Sequence, residues 1–284
     1  METMRDIKRR ISSVQNTKKI TRAMKMVAGA KLRRAQEKAE DARPFFNKTR
    51  KILLDVQQHS RNTDHVLLNE REGNKHLYIL ITGDRGLCGA YNSNAINKFK
   101  NSINEDEENS LLAIGSNGRD YFKKRDFDII SEYVQLDDYP EFSFARKITN
   151  EIISLFKEDM FDKISLIYTH FETALSQEVK MIPLLPVNAP EKRERDEVQV
   201  EYLYEPSADE VLDVILPQYV NNVLYASLLE SKASEFGARM TAMDSATDNA
   251  SDMIEDLTKT YNRARQSEIT QEITEIVSGA EALK

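Results

Sequence analysis

In this 284-residue chain, chemistry is nearest to hand at Gly83-Asp84-Arg85-Gly86-Leu87-Cys88-Gly89. The loop follows a short apolar run, Leu77-Tyr78-Ile79-Leu80-Ile81-Thr82, and precedes a helix-like stretch to about Phe99, as a phosphate-binding turn would. Its spacing is G-x-x-G-x-x-G rather than G-x-G-x-x-G, and the Lys-Ser/Thr pair of a P-loop does not follow. Asp84 would also face any phosphate with a like charge. The loop therefore reads as a tight turn in a parallel-sheet domain.

The charged residues offer a second candidate chemistry. Residues 1–38 carry Arg5, Lys8, Arg9, Arg10, Lys18, Lys19, Arg22, Lys25, Lys31, Arg33, Arg34 and Lys38 against Glu2, Asp6 and Glu37, although the whole chain has a net charge of −7. A basic helix can bind nucleic acid or a membrane surface. Here no aromatic residue precedes Phe45 to stack on bases, and the apolar seam of the same segment points to a protein partner. That partner is acidic: Asp244, Asp248, Asp252, Glu255, Asp256, Glu268, Glu272 and Glu275 lie near the other end of the chain. On long helices such carboxylates are solvated or face protein, so no acid–base or nucleophilic constellation is expected. Cys88 is the single cysteine, which excludes an internal disulfide and fits a reducing compartment. His59, His65, His76 and His170 lack metal-ligand spacing, so neither metal nor cofactor is expected.

These residues must be carried by two long helices. Residues 208–284 contain one proline, Pro217, and two glycines, Gly237 and Gly279, and would form a helix on the order of 110 Å long. Leu229, Ala233, Phe236, Met240, Met243, Thr247, Ala250, Ile254, Leu257, Tyr261 and Ala264 alternate steps of four and three, the seam of a helix with a partner helix. Ile269, Ile273, Ile276, Ala280 and Leu283 keep those steps one residue out of phase, so the packing partner changes near Arg265. In residues 1–58 a matching seam runs through Met4, Ile7, Ile11, Val14, Thr21, Ala28, Leu32, Ala35, Ala39, Ala42, Phe46, Thr49, Leu53 and Val56, with Lys18 and Lys25 completing it. Because the seam holds its register from Met4 onward, this basic segment reads as mature sequence, not as a cleavable leader. Pro44 is expected to kink the helix without ending it. The shorter helix would leave roughly the last 20 residues of the longer one without a partner in the chain. No run of about eighteen apolar residues occurs, so no membrane span is expected.

Between the helices, residues 57–74 read as a polar linker and residues 76–204 as an α/β domain. Strands are predicted near 77–82, 111–115, 129–134, 164–169, 179–185 and 198–204, with helices to about Phe99 and over 118–125 and 144–157. Alternation of this kind makes a mostly parallel, Rossmann-like sheet. The predicted fold is thus a long antiparallel coiled coil of the N- and C-terminal helices, with an α/β domain inserted between them.

Four stretches carry a family resemblance: Ile11-Ser-Ser-Val-Gln-Asn-Thr-Lys-Lys-Ile-Thr-Arg-Ala-Met-Lys-Met-Val-Ala28, Thr82-Gly-Asp-Arg-Gly-Leu-Cys-Gly-Ala-Tyr-Asn92, Met240-Thr-Ala-Met-Asp-Ser-Ala-Thr-Asp-Asn-Ala250 and Tyr261-Asn-Arg-Ala-Arg-Gln-Ser-Glu-Ile-Thr-Gln-Glu-Ile-Thr-Glu-Ile-Val-Ser-Gly-Ala280. The chain resembles, over its whole length, the gamma subunits of F-type ATP synthases, in their bacterial form. The resemblance implies a non-catalytic rotor shaft that couples ion-driven rotation of a membrane c-ring to conformational cycling of the catalytic beta subunits. Its implied partners are the alpha and beta subunits, the epsilon subunit and the c-ring, with no cofactor and no nucleic acid. Its implied place is the cytoplasmic side of the cell membrane, peripheral and held through the complex. By motif, the family's contact to the catch loop of beta falls on Arg265, Gln266 and Thr270. Its lever contact falls on Arg22, Met24 and Lys25, and its foot on Tyr204 and Glu205. Lys25 departs from the pattern, standing where many relatives carry Glu.

A nucleotide-binding regulatory protein with coiled-coil arms is the competing reading, and it rests on the glycine loop alone. The purified chain is expected to bind neither ATP nor ADP with a dissociation constant below about 10 μM, roughly −7 kcal/mol. Calorimetric titration checks this, and tighter binding would favour the competing reading.

Overall fold

The computed structural model describes residues 3–59, 65–104, 106–187 and 208–282. In chain order the elements are α1 (Met4–His59), β1 (Lys75–Ile81), α2 (Tyr91–Ser102), β2 (Glu108–Ile114), α3 (Ser116–Lys123), β3 (Ile129–Tyr133), α4 (Phe142–Lys157), β4 (Lys163–Phe171), β5 (Gln177–Leu185) and α5 (Ala208–Ala282). They form two compact units, Met1–Val27 with Met240–Lys284, and Ala28–Arg239. Each long helix contributes to both. The expected fold is the one found. α1 runs on through Pro44 and α5 through Pro217. The strand expected over 198–204 lies outside the described residues.

In the smaller unit, burial follows the four-three pattern. Ile7, Thr21, Met243 and Ala250 are buried, while Ile254, Leu257, Tyr261 and Ala264 are half-buried between exposed neighbours. Thr21 and Thr247 share a 2.7 Å hydroxyl contact across the seam, and Lys25 Nζ reaches Asp244 Oδ1 at 2.5 Å. The pattern stops where the register breaks. From Arg265 to Ala280 every residue is exposed, Ile269, Ile273, Ile276 and Val277 included.

The larger unit is built on a five-stranded sheet in the order β3-β2-β1-β4-β5. All neighbours are parallel except the edge pair β4 and β5. Six of the seven residues of β1 are buried, as both faces of a central parallel strand are covered. Alternation divides them: Leu77, Ile79 and Ile81 join a core with α4 and α5, and Tyr78 and Leu80 join one with α2 and α3. The second core is largely aromatic, with Phe99 edge-on to Tyr78 and Phe122 at centroid distances of 5.1 and 4.8 Å. The segment expected to be a polar linker is fastened to the first core. Leu67 is fully buried, and Arg71 stacks on Phe156 at 4.1 Å and donates to the carbonyls of Phe156 and Phe161.

At the N-terminal end of the sheet, His76 Nδ1 lies 2.9 Å from Glu107 Oε2, and His76 Nε2 lies 2.9 Å from Ser165 Oγ. The ionised carboxylate can only accept, so Nδ1–H donates to it and Nε2 accepts from the serine hydroxyl. Burial pushes the His76 pKa below 6.5, and the hydrogen bond from His76 draws that of Glu107 below 4.5. Both shifts favour the deprotonated form in the fold. Their stabilisation is therefore complete above about 6.5 and is lost as pH falls through the lowered native values. The melting temperature is expected to drop between pH 7.5 and pH 5, with a smaller drop in His76→Gln. An equal pH dependence in thermal melts of the two proteins would remove this pair as the cause.

Candidate functional site

In an open parallel sheet, ligands bind outside the carboxyl ends of the strands, where the connections diverge to opposite sides. Here that point lies between β1, which leads through α2 to β2, and β4. The glycine loop begins there. Thr82 Oγ1 donates to the carbonyl of Ile114 and accepts from the amide of Gly118. Gly115, with φ of 95°, lies so close that a Cβ would stand 2.2 Å from the Thr82 carbonyl oxygen, so no other residue fits.

The loop's polar groups are turned inward. Asp84 Oδ1 accepts from the amide of Ser116 at the N-terminus of α3 (2.8 Å), and its Oδ2 accepts from the amide of Leu136 beyond β3 (2.7 Å). The amide of Gly83 donates to Asn92 Oδ1 at 2.8 Å. A carboxylate of the chain thus occupies the helix N-terminus that a phosphate would seek.

Helix α5 fills what remains of the crevice. Ser231 Oγ accepts from the amide of Thr169 at the end of β4, and Ser234 Oγ donates to its carbonyl. Glu235 lies over Gly83, where an added Cβ would meet its carboxyl carbon at 3.1 Å. Lys232 Nζ reaches Glu235 Oε2 at 3.3 Å, and Arg239 Nη2 reaches Glu235 Oε1 at 2.8 Å. Arg239 also donates to the carbonyls of Arg85 and Gly86. The Lys232 and Glu235 side chains are only 9% and 5% exposed, so these charges have exchanged water for one another. Tyr91 beside them is pushed well above 10 by burial and then by the charge of Glu235.

The Ser165–His76–Glu107 row has the order of a nucleophile, base and orienting carboxylate. Ser165 and His76 are nevertheless 7% and 8% exposed, and Ser165 lies on a strand flanked by two others, which leaves a substrate no approach. Among the described residues no cluster could hold a metal ion, and no helix is long and apolar enough to cross a membrane.

The residues singled out by sequence fall as follows. Arg265, Gln266 and Thr270 are exposed, with the Thr270 hydroxyl donating back to the Gln266 carbonyl. Arg22 is exposed and Met24 half-buried, while Lys25 is paired with Asp244. Phe236 is 2% exposed, with Lys31 Nζ 5.7 Å from its ring centroid and Tyr139 6.4 Å away. Met243 is buried, and Met240 and Leu257 are half-buried. Tyr204 and Glu205 lie outside the described residues. Sequence reasoning passed over Lys232, Glu235 and Arg239. Their i,i+3 and i,i+4 spacing beside seam residue Phe236, among the small residues Ser231, Ser234 and Gly237, was the available signal.

This geometry defines an α/β protein whose ligand crevice is filled by one of its own two long helices. The comparisons agree with that class. The sequence profile described as ATP synthase matches residues 3–283. The ATP synthase gamma chain of Halothermothrix orenii is 58% identical over 287 residues and that of Desulforamulus reducens 46% over 284, each alignment covering 100% of both chains. A chain of the Tetrahymena thermophila mitochondrial ATP synthase central stalk and c-ring structure is similar with TM-score 0.62 at 28% identity, over 80% of this chain and 99% of that one. One from the Euglena gracilis mitochondrial enzyme shares the fold, with TM-score 0.70 at 18% identity, over 99% of this chain and 94% of that one. The chain belongs to the gamma-chain family of F-type ATP synthases, non-catalytic subunits of the central stalk.

Removing Glu235 would leave buried Lys232 without its carboxylate, beside the like charge of half-buried Arg239. Glu235→Gln is expected to destabilise the chain by about 3 kcal/mol, read from the midpoint of urea unfolding. Glu255→Gln, which breaks the solvent-exposed pair with Lys259, should leave that midpoint unchanged.

Proposed function

We propose that this chain is the rotor shaft of its complex, coupling ion-driven rotation of a membrane c-ring to conformational cycling of the catalytic beta subunits. In this reading residues 1–58 and 208–284 form the shaft, paired through Phe236, Met240, Met243 and Leu257, and residues 76–204 form the inserted domain. The alpha and beta subunits surround the shaft, while the epsilon subunit and the c-ring meet the foot at Tyr204 and Glu205. The chain sits peripherally on the cytoplasmic side of the cell membrane, held through the complex.

The observation that carries this reading is the clamp of α5 on the sheet. A shaft that transmits torque must not turn against the domain that receives it. The buried charges of Lys232 and Glu235 with half-buried Arg239, and the serine bonds to Thr169, oppose such slippage. The same helix continues unbroken to Ala282.

Conformational drive needs contacts that favour one beta subunit over the other two, since only differential free energy shifts a population. Arg265 and Gln266 stand at the register break, exposed and suited to such a contact. At the lever, Arg22, Met24 and Lys25 form that contact, with Lys25 also paired to Asp244 of the same chain. Arg265→Ala is expected to assemble normally yet slow ATP synthesis and steady-state hydrolysis by roughly three- to tenfold, about 0.7–1.4 kcal/mol, with Gln266→Ala milder. Turnover and single-molecule dwell times test this. Parental values for both in an intact complex would remove the catch-loop role.

A further inference from the structure

A cleft of about 950 Å³ lies between residues 36–47 of α1 and 222–233 of α5, with side chains of β4 and β5 as its third wall. Its size is that of a small-molecule site, and neither the α5 clamp nor the proposed subunit contacts use it. Its walls are aromatic. Phe45 is 56% exposed, unusual for a side chain of that kind, and stands edge-on to Phe142 at 6.5 Å. Phe142 in turn meets Tyr225 edge-on at 5.3 Å. This ring cluster already accepts a cation, since the Arg146 guanidinium lies 5.4 Å from the Phe142 centroid.

The charge in the cleft has one prevailing sign. Glu40, Glu172 and Glu230 line it against one guanidinium, Arg43, and His170 Nδ1 lies 2.6 Å from Glu230 Oε2. Burial, then the charges of Glu230 and Glu178, pushes Tyr168 up to about 12, and burial with the charge of Glu141 raises Tyr225. Aromatic faces and carboxylates together favour a cation with an apolar body and reject anions.

We propose that this cleft binds an amphipathic organic cation, its charge beside Glu230 and its apolar body against Phe45, Phe142 and Tyr225. Tetraphenylphosphonium is a suitable probe, with the uncharged triphenylphosphine oxide as its comparison. In calorimetric titration of the full chain at low ionic strength, tetraphenylphosphonium should bind saturably with a dissociation constant on the order of 10–100 μM, and the oxide about tenfold more weakly. Phe45→Ala and Glu230→Gln should each weaken binding about five- to tenfold, whereas Ile273→Ser, on the exposed part of α5, should not. Absence of saturable binding, equal affinity for the neutral compound, or affinity unchanged in Phe45→Ala would each overturn the proposal. Because Phe45 is largely exposed, that variant keeps the test decisive even if Glu230→Gln lowers the melting temperature.

Discussion

The seating of α5 on the sheet depends on where the charge of Glu235 is placed. A carboxylate taken out of water is costly unless its partners are close, and here Lys232 and Arg239 reach it from the turns on either side. The same Arg239 holds the glycine-loop carbonyls, and the same carboxylate covers Gly83. Sliding α5 by one residue would turn these groups about 100° away and strand the charges against the sheet. A hydrophobic contact would tolerate that slip, whereas a buried ion cluster does not. The interaction therefore fixes register more than it adds stability.

The clamp also accounts for a doubly wound domain in a non-catalytic protein. The fold gathers loop amides and a helix N-terminus at the carboxyl ends of its strands, and in a ligand-binding relative these would hold an anion. In this chain the same groups bind inward. Asp84 takes the amides of Ser116 and Leu136, and Ser231 and Ser234 take both backbone groups of Thr169. A site with the geometry to bind a ligand binds a helix instead.

How much of this was legible in the sequence follows from the range of the interactions. The helical seam was readable because it repeats over many turns, and the burial of Ile7, Thr21, Met243 and Ala250 follows it residue by residue. The break near Arg265 was readable for the same reason. The sheet was readable from short apolar runs between turns, although helix starts such as Phe142 and Ser116 were placed two residues late because neither has a side-chain cap to announce it. The amides that Asp84 accepts from, and the approach of Glu235 to Gly83, were not readable. They join positions tens of residues apart or more, and nothing local in a carboxylate says whether it faces water or an amide. Leu67, in a short Val66-Leu67-Leu68 run within a polar segment, gave no periodic signal of its full burial.

The exposed run of α5 bears on how the chain is supplied to its complex. Ile269, Ile273, Ile276 and Val277 recur at i, i+4, i+7 and i+8 and so make one adhesive stripe open to water. A stripe of that kind is harmless once enclosed but sticky on a chain newly released from the ribosome. Synthesis of this subunit in excess of its partners would accordingly leave it to aggregate or be degraded. The cell has reason to make it in step with the proteins that cover that stripe.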